Sequence, residues 1–369
     1  MGSRFSPASF LPCARLWCTV LLVAVLVCLG GVSGCRGGTA SRIRLPDGDH
    51  LLVYADMPHT QPPPGRARDA QHRTPFLPGR FHPSVRYLVR EPDGRTSHFF
   101  LDAGVDSMEF QHNRRIDLAS LRSKDADLKP DFLIISHYHT IFLPSALKKF
   151  FEENNRLFHS TPFHPHDGGG IAVLLQENPD LDIYVPELKN FTYDMLPPVW
   201  RENRLLERVI QLKDGYVQIT PRVGLLTQRF LVGEEPWLGY NRIPENLLVV
   251  KTPSGYLVHA VCAHRPARTL DGRTPHPAEF LALYMPHPLE ALPVHTLLTG
   301  GCDFQAIATL NGSYGAEGAG FVYRMIRERF PSLETVVPIH CGLLNVPACR
   351  DTFGDRCTPG LPGTAVTIR

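Results

Sequence analysis

The chain of 369 residues lacks an excess of charge of either sign: 38 Lys and Arg face 36 Asp and Glu, for a formal net charge of +2. A nucleic-acid-binding domain needs a basic face for phosphates, so no nucleic acid is expected as a partner. No internal repeat survives residue matching. The one long apolar run, Trp17 to Leu29, is shorter than the ~20 residues of a comfortable membrane-spanning helix. Two common catalytic fingerprints are also missing. Asn311-Gly312-Ser313-Tyr314-Gly315 lacks the spacing of a G-x-S-x-G nucleophile elbow, and Gly315 to Gly320 lacks the strand-then-helix context of a phosphate loop. Cys349 and Cys357 stand too far apart to be half of a zinc ribbon.

What is present begins with a targeting segment. Arg4 and Arg15 give a positive start, the apolar run follows, and Val32-Ser33-Gly34-Cys35 resembles a bacterial lipobox. Residues 1–35 are therefore expected to be a lipoprotein signal peptide, with Cys35 the acylated first residue of the mature chain. An ordinary signal peptide or an uncleaved anchor is the alternative, and either also exports the chain. Acylation would anchor the protein to a membrane, facing the periplasm or exterior. Of nine cysteines, five remain beyond this leader. In an oxidising compartment Cys349 and Cys357 are candidates for a bridge; two buried thiols are the other reading.

About 330 residues are left, enough for one large or two modest domains. Residues 36–83, with Pro62-Pro63-Pro64-Gly65 at their centre, read as a proline-rich irregular segment leading into a domain at 84–369. From Ser84 short apolar runs appear: Val85 to Val89, and His98 to Leu101 ending at Asp102-Ala103-Gly104. Polar helical sequence around Ile116 to Lys124 leads into Phe132-Leu133-Ile134-Ile135-Ser136, a run of the kind that a strand buried on both faces requires. Later, Leu247 to Lys251 and Tyr256 to Val261 pair around a turn. Thr296 to Thr299, a helix over Gly320 to Phe330 and Thr335 to Ile339 then alternate strand, helix, strand. Candidate ligands stand at the strand ends, where open α/β sheets place their sites.

His137 and His139 leave the buried strand one residue apart and form a plausible half-site for a cation. Taken alone, such a pair is more often structural or solvated than ligating. The series Leu101-Asp102-Ala103-Gly104, Ser136-His137-Tyr138-His139, Val261-Cys262-Ala263-His264, Gly300-Gly301-Cys302-Asp303 and Pro338-Ile339-His340-Cys341 resembles the metallo-beta-lactamase superfamily. Within it, the series is similar to the dihydropterin-ribofuranosyl-aminobenzene-phosphate-synthase-like branch. The resemblance runs from about Ser84 onward and implies an α/β fold, a four-layer αββα sandwich.

The family's S-H-x-H-x-D-H motif departs here, because Ile141 and Phe142 occupy its Asp and His positions. His166-Asp167-Gly168-Gly169-Gly170 followed by an apolar helix looks like the continuation, so an insertion near 140–165 is inferred. Within it, Leu143 to Phe151 reads as an amphipathic helix, either a lid or packing filler. The resemblance then implies metal ligands at His137, His139, His166, Asp167, His264 and His340, with Asp167 also catalytic by orienting water. His164 and Asp303 are auxiliary ligands or substrate contacts; Asp303 is also readable as a turn residue, and Asp167 as a helix cap. Nitrogen and oxygen donors of this kind suit one or two zinc ions, with iron or manganese as alternatives. The implied activity is metal-dependent hydrolysis of a small-molecule ester, phosphoester or lactam-like bond outside the cytoplasm. The competing reading is a non-catalytic or metal-binding lipoprotein that keeps the fold with a decayed site.

Overall fold

The computed structural model describes residues 45–55, 83–104, 107–121, 129–137, 139–142, 163–164, 168–186, 202–213, 215–231, 239–240, 242–261, 293–300 and 315–369. In chain order, β1 (His50–Ala55), β2 (Ser84–Arg90) and β3 (Thr96–Leu101) precede α1 (Ser107–Ser120), and β4 (Phe132–Ile134), β5 (His139–Phe142) and β6 (Phe163–His164) precede α2 (Gly168–Glu177). Then come β7 (Asp182–Pro186), β8 (Ile210–Leu212), β9 (Gly215–Gln218), β10 (Val223–Leu231), β11 (Gly239–Tyr240), β12 (Arg242–Lys251), β13 (Tyr256–Ala260) and β14 (Val294–Thr299). The chain finishes with α3 (Gly315–Arg329), β15 (Thr335–Pro338), α4 (Val346–Phe353) and β16 (Ala365–Thr367).

These strands form two large mixed sheets, ordered β16-β1-β2-β3-β4-β7-β8 and β15-β14-β13-β12-β10-β9, and a small third sheet, β11-β5-β6. Alternation along each strand sorts its residues between two faces. Leu51, Val53, Val85, Tyr87, Val89, Phe99 and Leu101 of the first sheet meet Leu225, Leu248, Val250, Leu257, Leu298 and Val337 of the second. The opposite face of the first sheet, with Leu52, Phe100, Leu133 and Ile183, packs on Phe110 of α1 and Ile171 and Leu174 of α2. The opposite face of the second, with Leu247, Val249, Val258 and Leu297, packs on Val322, Tyr323 and Ile326 of α3 and Phe353 of α4. The layer order is thus helix, sheet, sheet, helix, the αββα sandwich that the resemblance implies. Burying one such aliphatic or aromatic side chain contributes roughly 1.5–3 kcal/mol.

One expectation fails. Residues 36–83 are not irregular throughout, because His50–Ala55 forms β1, paired on one side with β2 and on the other with β16. Leu51 and Val53 enter the layer between the sheets while Leu52 and Tyr54 face the helices. The domain therefore starts before residue 84, and the proline-rich sequence on its C-terminal side conceals a six-residue strand.

Helix α1 spans Ser107–Ser120, earlier than the helical sequence expected around Ile116 to Lys124, and its buried face is the reason. Its sheet-facing positions, Phe110, Asn113, Arg114 and Asp117, have helical spacing, yet three of the four are polar and all are buried. Asp117 accepts from Arg86 at 2.9 Å and from the Tyr54 hydroxyl, and Arg114 spans Asp117 at 3.2 Å and Glu177 of α2 at 2.7 Å. Burial, then the Asp117 carboxylate, push the Tyr54 phenol far above its usual pKa, so it remains a donor. Cys349 of α4 is disulfide-bonded to Cys357, with Cα atoms 6.0 Å apart. Cys357 in turn bridges Val336 of β15, so the bridge staples the C-terminal turn to the second sheet.

Between the sheets, the Tyr87 hydroxyl contacts Nδ1 of His259 at 2.6 Å, and Nε2 of that ring has no partner among the described residues. Burial lowers the His259 pKa to about 3.

Two measurements test these interactions. Asp117→Ala leaves two guanidinium groups buried without their shared carboxylate, and urea unfolding is expected to show a loss of about 3–5 kcal/mol; a loss under 1 kcal/mol would contradict the central role of this carboxylate. For His259, the unfolded ring takes up a proton near its ordinary pKa and the folded ring only at about 3. Stability therefore rises with pH across that window and is lost as pH falls, by about 1.4 kcal/mol per pH unit for one proton. His259→Leu should flatten the dependence by that amount between pH 6 and 4. An unchanged slope would show that the ring is already charged when folded.

Candidate functional site

The rim at the carboxyl ends of β3, β4, β13, β14 and β15 is built from the first sheet outward. Asp102 follows β3 with φ 56°, in the left-handed region that costs most residues energy but that Asp adopts more readily than most. Its amide donates to Ile134 O at 2.8 Å, which ties the exits of β3 and β4 together. Its carboxylate then accepts from Ser136, Oδ1 from the amide at 2.8 Å and Oδ2 from the hydroxyl at 2.7 Å. Ser136 Oγ also lies 2.8 Å from Nδ1 of His137.

Proton accounting gives this contact a direction. A serine hydroxyl has one hydrogen, and that of Ser136 goes to Asp102. Toward His137 the hydroxyl therefore accepts, and Nδ1 carries the proton. The lone pair of a neutral ring then resides on Nε2. A ligand histidine is oriented in this same way, by a bond from the nitrogen that does not bind the cation. Asp102, Ser136 and His137 are all fully buried.

The second sheet meets this corner through β12. His137 forms a bridge with Glu245, Asn246 donates its amide to Ser136 O at 2.6 Å, and Asn246 Nδ2 donates to Ile135 O at 2.9 Å. Thr227 of β10 holds Asn246 Oδ1 at 2.6 Å. From β12 the rim continues across β13 and β14, where Gly300 donates to Ala260 O and Ile339 to Thr299 O, both at 3.1 Å. Next comes His340, buried and with φ 50°. Among the described residues three non-glycine positions have left-handed backbone, and Asp102 and His340 are two of them. Strained conformations of this kind cluster where function over-determines the backbone.

Of the expected site residues, His137 and His340 lie on this one rim, with β13 and β14 between their points of attachment. His139 opens β5 and His164 closes β6, and the register sets these two opposite one another. His166, Asp167, His264, Asp303 and Cys35 lie outside the described residues, as does the 143–151 segment. Helix α2 begins at Gly168, directly after Asp167. Its start is fixed against the Asp102 turn: Gly170 donates to Ala103 O at 3.0 Å, and a Cβ at this position would come within 2.4 Å of that oxygen. Among the described residues no three His, Cys, Asp or Glu side chains form a group able to hold a metal. Sequence reasoning missed Glu245 and Asn246. Their signal is a polar pair placed just ahead of the apolar run beginning at Leu247.

No protein-family model and no curated protein matches the sequence. Solved structures align with it at low identity. Zn(2+)-bound PqqB from Methylobacterium extorquens is 10% identical over 86% of this chain and 100% of its own, with a TM-score of 0.44. Unliganded yeast PDE1 is 9% identical over 87% and 99%, with a TM-score of 0.48. CmlA, a diiron beta-hydroxylase from Streptomyces venezuelae, is 12% identical over 77% and 52%, with a TM-score of 0.38. Likeness at this level carries no chemistry. By its own packed layers, the chain is an α/β protein with a four-layer αββα sandwich, the architecture that the sequence resemblance implies.

Proposed function

We propose that this protein is an exported, lipid-anchored metal-dependent hydrolase acting on an ester, phosphoester or lactam-like bond of a small molecule. The observation that carries the reading is the direction of the Asp102–Ser136–His137 hydrogen bonds, which leaves the His137 lone pair on Nε2. A histidine prepared in this way on a strand-end rim fits a borderline cation such as zinc. His139, His166, Asp167, His264 and His340 complete the proposed donor set, for one or two zinc ions or for iron or manganese. When bound, the cation supplies Lewis acidity that brings the ionisation of water toward neutral pH and polarises the substrate. The chain's own part is to orient. Ser136 and Asp102 hold the His137 ring, Asp167 positions the attacking water and accepts its proton, and Asp303 contacts substrate. The Cys349–Cys357 bridge supports export, since such bonds persist in oxidising compartments.

Metal analysis of the purified mature protein is expected to give one or two zinc ions per chain, with a clear loss in His137→Ala and Asp167→Ala. Asp102→Asn is expected to weaken zinc binding by about 10–100-fold through the relay alone. Equal zinc content in wild type and both ligand variants would overturn the site, and a metal-free wild type would favour the non-catalytic lipoprotein. For the anchor, Cys35→Ser is expected to move the protein from the membrane to the soluble fraction after export. Retention of that variant at the membrane would exclude acylation of Cys35 as the attachment.

A further inference from the structure

On the face of the second sheet that meets the first, β10 and β12 pair Val223 with Val250 and Leu225 with Leu248. One repeat nearer the rim, the same row ends in Thr227 opposite Asn246, a hydroxyl and an amide that are 1% and 0% exposed. Burying such groups is costly unless their hydrogen-bonding atoms are used, and here the use is specific. Asn246 Nδ2 donates to Ile135 O at 2.9 Å, and the Asn246 backbone N–H donates to Ser136 O at 2.6 Å. A carbonyl oxygen accepts and never donates, so Nδ2 must face Ile135. Oδ1 then faces Thr227, whose hydroxyl donates to it at 2.6 Å.

These bonds meet those of Asp102 on the same stretch of backbone. In the peptide joining Ile135 to Ser136, the N–H goes to Asp102 of the first sheet and the carbonyl to Asn246 of the second. In the next peptide, joining Ser136 to His137, the carbonyl goes to the Asn246 N–H. The backbone that carries His137 is gripped from both sheets, and the first sheet supplies one side of that grip. We propose that Asn246, held by Thr227, is a positioning residue for His137, so that the half-site for the cation is complete only when the two sheets are docked in register. Neither side chain is a ligand: Thr227 fixes the amide, and the amide fixes the peptide planes that aim the ring. The inference rests on the metal-binding reading above. Partners of this kind set ligand orientation and thereby affinity, and the coupling between cation binding and sheet docking is reciprocal.

The test uses the full mature protein with zinc added alone, its affinity read by competition with a chromophoric chelator and its stability by urea unfolding. Thr227→Val keeps the branched shape and removes the donor; it is expected to weaken zinc binding about tenfold or more. Thr227→Ser keeps the donor and is expected to bind as the wild type does. Leu248→Ala loosens the same layer without touching the β4 exit, so its urea midpoint should fall while the zinc affinity of the folded protein stays the same. A wild type that binds no zinc overturns this inference together with the functional reading. A wild type that binds zinc, with folded Thr227→Val unchanged in affinity, overturns the inference alone. Thr227→Ser as weak as Thr227→Val, or Leu248→Ala weakened equally, refutes the hydrogen bond as the cause. Should Thr227→Val fail to fold, Thr227→Ala takes its place and is read by the same two outcomes.

Discussion

Asp102 ends β3 in a left-handed backbone conformation and accepts both hydrogens that Ser136 offers, so the exits of two neighbouring parallel strands cannot separate without stranding a buried carboxylate. The conformation itself costs of order 1–3 kcal/mol, and charge-assisted bonds of this type return about 1.5–3 kcal/mol each. Everything downstream takes its position from this corner. His137 receives its tautomer there, and Ser136 O receives the Asn246 amide that joins the second sheet.

The remote end of the sandwich is closed by a comparable polar clasp. Glu91 accepts from Ser97 and Thr220, each at 2.6 Å, while Arg222 reaches Asp49 and the carbonyls of Arg90 and Lys251. On the outer face, the Arg86–Asp117–Arg114–Glu177 network fixes both helices to the first sheet. Apolar burial alone leaves two stacked sheets free to slide. These directional contacts at the rim, the remote end and the outer face specify one registration. Replacing any partner singly leaves the other uncompensated, which is the costly way to break such a network.

Much of the fold was legible because strands buried on both faces read as apolar runs, as Phe132 to Ile135 and Leu247 to Val250 do. Strand β1 was hidden by the prolines that follow it, and α1 by a buried face made of Asn113, Arg114 and Asp117. The edge strand β9 escaped notice because exposed Val217 and Gln218 carry no inward pattern. No repeat was visible in the residues, yet the topology has one. β1-β2-β3 is an antiparallel meander followed by parallel β4 and β7, and β10-β12-β13 is a meander followed by parallel β14 and β15. Packing constrains that order through direction and burial, which many sequences satisfy. At the rim, His137 and His340 were readable from their position after strands. The hydrogen-bond direction through Ser136 was not, since it depends on a contact between residues 34 positions apart.

The antiparallel ladder between β1 and β16 joins residues 50–52 to 365–367. Ribosomal synthesis runs from the first of these segments to the last, so β1 keeps an open edge until β16 has been made. Unpaired edges invite association with other chains, and contacts of such sequence separation form slowly. Completion of this sheet therefore waits for its last strand in chain order, and a sheet that lacks β16 keeps a sticky seam along β1.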